Sequence, residues 1–471
     1  MSCHVRVGFF SCRHHRRSHT IHDQSSGGPS CFGPRQPVVG QEEMEGGPLE
    51  AREVANKKAE RRRIASSPTF FRTHGDFKEE QAVVQEKMLA EMKSTLLDSM
   101  RAGTFETSRG EGNAAVTFRL AQEYGMCWGA ERSIELALAA TEKYPDKRKH
   151  ITNELLHNPG VNNMLADAGV EFVDKTADGG KRFDDVSPGD VVILPAFGAT
   201  LAEMQHFDDM GVTTVDTTCP WVTKVWNVVD KQVAKGMTTV IHGKYAHEEA
   251  IATASYCDNY IMVKNIDEAE YVCRYILNPT PEGKEALLAK FAKAMSKGFD
   301  PDVHLAKVGL ANQTTMYKKE TQAIGKLFEL TMIQKYPEDA SDRFVAFDTI
   351  CDATQVRQDA IQEMIQDPKV DELDFILVVG GFDSSNTAHL VEIPHDAGKT
   401  VFHINEGDCI REDNSVKHRL LNGDVVIEND WLPADRPLKI GVTSGASTPD
   451  AYVQDALERL VLLKAAISSA A

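Results

Sequence analysis

From Val116 onward the chain alternates short runs rich in β-branched and aromatic residues with longer stretches of helical character, and this alternation restricts it to layered α/β architectures with mainly parallel sheets. The strand candidates read VVILPAF, TTVIHG, YIMVKN, FVAFDTI, FILVVGG, TVFHIN and KIGVTSG. Several of them end in Gly, Ser, Thr, Asn or His just before a helical pattern. Open α/β folds place their ligands at such strand ends, so functional side chains are expected there.

Upstream of this region the composition changes. The first forty residues hold Arg6, Arg13, Arg16, Arg17 and Arg35, several Ser and His, and the single acid Asp23. This is the composition of an organelle transit peptide and lacks the apolar core of a secretory signal; a plain extension is the alternative. From Glu79 to Met100, EEQAVVQEKMLAEMKSTLLDSM repeats its apolar residues at steps of three and four, which predicts an amphipathic helix with a core-facing Met stripe. No segment reaches the ~20 apolar residues of a membrane-spanning helix, so membrane insertion is not expected. Met1–Thr73 carries 12 Lys+Arg against 7 Asp+Glu, whereas the rest carries 40 against 63, a net −23. Such an acidic body opposes nonspecific binding to nucleic acid or anionic lipid.

Nine cysteines occur, at positions 3, 12, 31, 127, 219, 257, 273, 351 and 409, without any CxxC pair. The odd count argues for reduced thiols over a disulfide framework. Three share a setting: YGMC before WGAERSIELALA at Cys127, VDTTC before PWVTKVWNVVDKQVA at Cys219, and FDTIC before DATQVRQDAIQEMI at Cys351. Each stands where a helix is predicted to begin, with Pro220 suited to the first helical position, and a basic residue follows at Arg132, Lys224 and Arg357. The even spread along the chain suggests one such unit in each of three lobes around a common centre. Helix N-termini favour thiolates, and three converging thiolates suit a cubane cluster; buried structural cysteines remain the alternative.

The expected organisation is therefore an extension over 1–75, a helical arm over 76–113, α/β lobes over 114–216, 217–348 and 349–447, and a C-terminal helix and tail over 448–471. The segment 277–308, rich in Lys, Pro and Gly, is expected to be a surface insertion in the second lobe.

A second set of residues suits a small anionic ligand: His157 in TNELLHN, His247 and Glu249 in GKYAHEE, Gln313 and Thr314 in ANQTT, Ser384, Ser385 and Asn386 in GGFDSSN, and Ser447 in TSGAST. These are mostly neutral donors on turns, which can hold phosphate without a lysine cage. Each taken alone is also an ordinary turn residue. Glu249 beside His247 can store a proton and deliver it to a leaving oxygen; the plainer reading is an acid at a helix start.

In order along the chain, YGMCWG, NELLHN, DTTCPWVTKVW, HGKYAHEE, NQTT, TICDATQVRQDA, GGFDSSNT and TSGASTPD resemble the hydroxymethylbutenyl diphosphate reductases, the IspH/LytB family. The resemblance spans Thr117 to Leu460, and PAFGA, CPWVTKVW and HGKYAHEE look like its plant and cyanobacterial branch. It implies three α/β lobes around a 4Fe–4S cluster held by Cys127, Cys219 and Cys351, with one iron open to substrate. It further implies Glu249 as proton source, His247 and Thr314 ordering the substrate hydroxyl, and His157, His247, Ser384, Ser385, Asn386 and Ser447 holding the diphosphate. An electron-donor protein such as ferredoxin and a plastid stromal location follow from the same likeness. Phe197 departs from many bacterial members, which carry a diphosphate-contacting histidine there. Two other classes fit the residues less well: a cluster hydro-lyase that consumes no electrons, and a non-enzymatic iron–sulfur or zinc protein. No oligomeric state is specified by the sequence.

Overall fold

Parallel pairing gathers the strands into three separate sheets, seen in a computed structural model that describes residues 56–176 and 180–470. The first sheet runs Phe70–Phe71, Thr213–Asp216, Val191–Leu194, Lys149–Ile151, Val170–Phe172, all parallel. The second runs Phe344–Ala346, Val308–Asn312, Thr238–His242, Tyr260–Val263, again all parallel. In the third, Val401–Ile404, Phe375–Val379, Leu438–Ser444 and Val116–Leu120 are parallel, and Glu106–Arg109 closes the edge antiparallel. Every residue of Val191–Leu194, Thr238–His242, Val308–Asn312 and Phe375–Val379 is buried, as expected of strands covered by helices on both faces.

The sheets are linked in a ring. Val116–Leu120, in the third sheet, leads through Cys127 into the helix Trp128–Lys143, whose Ile134, Leu136 and Ala137 pack with Ile151 and Ile193 of the first. Thr213–Asp216, in the first, leads through Cys219 into Pro220–Val233, whose Val225 and Val229 share a core with Val240 and Val308 of the second. Phe344–Ala346, in the second, leads through Cys351 into Asp352–Gln366, whose Ile361 and Met364 pack with Ile376 and Val378 of the third. Each of these cysteines thus lies where the chain passes from one sheet to the next, and all three crossings point at one centre.

This ring changes two of the expected boundaries. Val116–Leu120, placed by the sequence in the lobe 114–216, pairs instead with Leu438–Ser444 more than three hundred residues later. The folded body also begins well before residue 75. Lys57–Ile64 is a helix capped by Asn56; Ile64 is 1 % exposed and packs with Leu201, Met204 and Trp226. Arg61 donates to Asp230 at 2.9 Å, Arg63 to Asp208 at 2.9 Å, and Phe70–Phe71 adds an edge strand to the first sheet. The part of the expected extension before Asn56 lies outside the described residues.

Two further expectations are refined. The helix foreseen over Glu79–Met100 breaks into Gln81–Met92 and Thr95–Ala102, because Ser94 turns to accept from the Leu97 N–H and caps a second helix. Its Met stripe does face the core through Met88, Met92 and Met100. The segment 277–308 is no mere surface elaboration: Leu287, Phe291, Ala294, Phe299 and Leu305 are buried in the core of the second sheet.

Truncation tests the corrected start. Ile64→Ala is expected to cost about 2–4 kcal/mol by leaving a cavity, and a chain beginning at His74 loses that contact, the Asp230 ion pair and the edge strand together. Urea denaturation measures both; a chain from His74 as stable as the parent would show that this segment does not belong to the fold.

Candidate functional site

The three crossings place Cys127, Cys219 and Cys351 at the N-caps of their helices, and at Cys127 and Cys351 a backbone N–H of the first turn bonds the sulfur. Cys127 Sγ accepts from the Ala130 N–H at 3.4 Å. Cys351 Sγ accepts from the Thr354 N–H at 3.3 Å and meets the Thr354 hydroxyl at 2.9 Å. All three are free thiols lining one cavity of about 150 Å³, space for a small ligand and not a polymer. Burial pushes the Cys219 thiol up to about 12 and that of Cys351 up to about 11, and neighbouring thiols of the trio push the same way. Cys257, Cys273 and Cys409 are buried apart from this cavity; Cys257 Sγ bonds the Thr253 carbonyl and Cys409 Sγ the Asn405 side chain.

Two buried cations brace the thiols. Arg132, on the helix after Cys127, donates to the Thr218 carbonyl at 3.1 Å and the Thr217 carbonyl at 3.4 Å, immediately before Cys219. Arg357, on the helix after Cys351, donates twice to the Gly125 carbonyl, at 2.6 and 3.0 Å, two residues before Cys127. Each helix therefore clamps the loop that carries the next cysteine. The third clamp is different: Lys224 lies over the Trp221 ring, and the Cys351 loop is tied by the Cys351 N–H to the Thr314 carbonyl at 3.2 Å and by Thr349 to Asn312. Among the described residues neither Arg132 nor Arg357 meets a carboxylate in an ion pair. Two desolvated guanidiniums beside three thiols leave positive charge that an anionic group in the cavity would balance.

Gly129 packs the trio closely. A Cβ there would stand 2.6 Å from Cys219 Sγ and 3.8 Å from Cys127 Sγ. Gly129→Ala is accordingly expected to push the Cys219 sulfur aside and, with the three cysteines as the iron ligands that the family resemblance implies, to reduce iron bound per chain on anaerobic reconstitution by half or more, while thermal unfolding shifts little. Normal iron loading in that variant would show that the sulfurs have more freedom than this packing implies.

Facing the thiols is a proton-holding group. Glu249 is 2 % exposed at the start of Glu248–Ser255, and its carboxylate oxygens accept from the Thr314 N–H at 2.6 Å and the Thr314 hydroxyl at 2.9 Å. Burial outweighs these bonds and raises its carboxyl to about 7, so near neutrality the group keeps a proton it can give away. His247 caps the same helix: its Nδ1 accepts from the Glu249 N–H at 3.1 Å, which leaves its ring proton on Nε2. Burial, with His157 and Lys244 nearby, lowers it to about 3, so it is neutral. His247 Nε2 meets His157 Nε2 at 3.2 Å, and His157 Nδ1 meets Glu154 at 3.0 Å, forming a line from a carboxylate through two imidazoles to the Glu249 backbone.

Of the remaining sequence-predicted residues, all but Gln313 line the same cavity. Thr314, Ser384, Ser385, Asn386 and Ser447 all line it. Ser384 caps Ser385–Asp396 through the Thr387 N–H at 3.2 Å, so the positive end of a 12-residue helix faces inward. Asn386 Oδ1 accepts from the Ala446 N–H at 2.9 Å, while its Nδ2 is buried without a partner, a donor awaiting an acceptor. Ser447 Oγ reaches the His157 carbonyl at 3.3 Å, tying the last turn to the first lobe.

Sequence reasoning missed Glu154, which the i, i+3 spacing to His157 signals, and Thr315, which takes a bond from Gln313 Nε2 at 2.9 Å. Gln313 also bonds Ser385 at 3.2 Å and thereby links the second and third lobes. Phe197 stacks on His157 with centroids 4.4 Å apart and stands edge-on to His247 at 5.4 Å. An aromatic wall holding both imidazoles in place thus occupies the position where a polar contact was in doubt.

Known proteins with related sequences cover nearly all of this architecture. The LytB protein family model matches residues 118–461. The 4-hydroxy-3-methylbut-2-enyl diphosphate reductase of Thermosynechococcus vestitus is 47 % identical over 408 residues, 86 % of this chain and 98 % of that protein. The chloroplastic enzyme of that name from Botryococcus braunii is 53 % identical over 347 residues, 73 % of this chain and 68 % of its own. Among solved structures, the E-1-hydroxy-2-methyl-but-2-enyl-4-diphosphate reductase of Plasmodium falciparum superposes with a TM-score of 0.52 at 20 % identity, covering 72 % of this chain and 86 % of that one, a likeness of fold. With a family model covering most of the chain and a relative 47 % identical over 86 % of it, the chain belongs to the LytB family.

Proposed function

We propose that the chain reduces (E)-4-hydroxy-3-methylbut-2-enyl diphosphate to isopentenyl and dimethylallyl diphosphate, the final step of the non-mevalonate route to isoprenoid precursors. The observation that carries this reading is the buried Glu249 carboxyl, held near 7 in the same cavity as three N-cap thiols and a set of neutral phosphate donors. The relatives' shared name describes the same reaction.

Cys127, Cys219 and Cys351 would hold a 4Fe–4S cluster with one iron free of protein ligands. The donor set fits it: three free thiols, each at the start of a different helix, line one cavity. Arg132 and Arg357 supply buried positive charge beside a group that thiolate ligation makes negative. When bound, such a cluster delivers electrons one at a time and offers a Lewis-acidic site to the substrate oxygen.

The chain's own residues do the rest. The diphosphate lies across the inward end of Ser385–Asp396, where the orphaned Asn386 Nδ2 and the hydroxyls of Ser384, Ser385 and Ser447 donate to it and the imidazoles of His157 and His247 flank it. Thr314 orients Glu249, whose proton goes to the departing hydroxyl so that it leaves as water. Two electrons and two protons are consumed per turnover, the second proton ending on carbon at either end of the allyl unit, which gives the two isomers. The diphosphate anchors the substrate so that only its hydroxyl end reaches Glu249.

The electrons come from a donor protein such as ferredoxin, and the Arg-rich, acid-poor start directs the chain to the plastid stroma. Residues 1–55 fused to a fluorescent protein are expected to enter plastids; a fusion that stays cytosolic overturns the location. Expression in a bacterium whose own enzyme for this step is switched off is expected to restore growth. Failure to do so by soluble, iron-loaded protein contradicts the reaction assigned.

A further inference from the structure

We propose that the exposed face of the helix Pro220–Val233, the helix capped by Cys219, is the docking surface for a small acidic electron-carrier protein; this rests on the reductase reading above. The helix presents Lys224, Asn227 and Lys231 to solvent at the spacing of one helical face, and Lys235 continues the stripe just beyond its end. Its one acid, Asp230, is turned inward and taken up by Arg61 at 2.9 Å and Lys58 at 3.5 Å. The stripe therefore carries positive charge alone, on a chain whose residues after Thr73 sum to −23.

The lysines are held upright over aromatic rings. Lys224 Nζ stands 4.3 Å from the Trp221 ring centroid, and Lys231 Nζ stands 5.3 Å from that of Phe347, which is 37 % exposed. Among the described residues neither lysine is paired with a carboxylate, so both are available to one on another protein. Beside the stripe, Arg62 lines a groove with Thr223 and Asn227 and adds positive charge, while Arg72 in the same groove is met by Asp216 at 3.9 Å.

The stripe begins at the thiols. Trp221 and Trp128 both line the cavity of the three cysteines, and Trp128, next to Cys127, is 59 % exposed. Trp221, which carries Lys224 over its ring and lines the cavity, connects this face with the thiols. An aromatic centre with lysines around it is the usual make-up of a short-lived protein contact, in which charge steers approach and a small area permits release. An acidic carrier is repelled by most of this molecule and drawn to the face beside the cysteines.

A plant-type [2Fe–2S] ferredoxin serves as the probe. Its affinity for the parent is expected to weaken as salt rises, and the double variant Lys224→Glu/Lys231→Glu to bind it about tenfold or more weakly at low ionic strength. Lys224→Ala/Lys231→Ala should fall between the two, and Lys290→Glu/Lys293→Glu, on the helix Pro281–Lys290 and just past it, should match the parent. Ferredoxin-driven turnover of the charge-reversed protein should show a raised KM for ferredoxin, with turnover driven by dithionite and a viologen unchanged. Unaltered ferredoxin binding by the charge-reversed protein, or equal weakening in the Lys290/Lys293 control, overturns the proposal, as does duplex DNA competing at equal affinity. A parent inactive with both reductants would count against the reductase reading instead, and the binding comparison would still decide the face.

Discussion

Glu249→Gln is expected to keep the fold, the metal content and near-normal affinity for the substrate diphosphate while losing about 10²–10⁴-fold in turnover. The substitution preserves shape. The amide oxygen can still accept from the Thr314 N–H, and the Thr314 hydroxyl can rotate to accept from the amide nitrogen in place of donating. What disappears is the transferable proton. The parent's own pH dependence checks the same point: burial raises the carboxyl to about 7, so the protonated, competent form is present below that pH and is lost above it. Turnover should fall on the alkaline side with an inflection near 7, and Glu249→Gln should lack that limb. Glu248→Gln is the control, since Glu248 is drawn away to Lys181 at 3.2 Å and Lys175 at 4.0 Å. A Glu249→Gln variant within a few-fold of the parent, with Glu248→Gln strongly impaired, would assign the proton to the other carboxylate.

Cys127→Ser, Cys219→Ser or Cys351→Ser, made singly, should each abolish the broad visible absorption of anaerobically purified protein, because among the described residues no fourth thiol lines the cavity to replace the lost ligand. Serine can keep the N-cap hydrogen bond made at Cys127 and Cys351, and the Cys219 helix, which has no such bond, keeps Pro220 at its first position, so thermal unfolding in the absence of iron should stay close to the parent's. Cys257→Ser and Cys409→Ser alter buried thiols bonded to Thr253 and Asn405 elsewhere, and both should retain the chromophore even if they lose stability. Retention of the full absorption by Cys219→Ser would exclude that residue from the metal site.

Much of this site is legible in sequence because its chemistry is written locally. A cysteine before a helical pattern becomes an N-cap, as at Cys127, Cys219 and Cys351; an acid two residues after a capping histidine becomes a first-turn carboxylate, as at Glu249. Even the basic residues following the cysteines are visible as a pattern, although only the folded chain shows that Arg132 and Arg357 reach to the neighbouring loop and that Lys224 faces solvent. The contacts that escape are those between distant segments. Nothing within Val116–Leu120 tells that its partner is Leu438–Ser444, since a buried parallel strand reads the same in either sheet. The early start of the fold is hidden for a similar reason: Lys57–Ile64 is too charged to show a core face, and it is held by Ile64 and by ion pairs to Asp208 and Asp230 that lie far along the chain. Phe197 is a hydrophobic residue where a donor was expected, and its stacking on His157 has no sequence signal.

Anaerobic turnover of (E)-4-hydroxy-3-methylbut-2-enyl diphosphate, with electrons and products counted together, decides whether the chain removes a hydroxyl group with two electrons at a three-thiolate iron–sulfur site. The parent, carrying about four irons per chain, is predicted to consume two electrons for each molecule of product, to form both isopentenyl and dimethylallyl diphosphate, and to stop when either reductant or iron is withdrawn. Loss of the hydroxyl without reductant, or undiminished turnover by iron-free protein, would contradict that reaction.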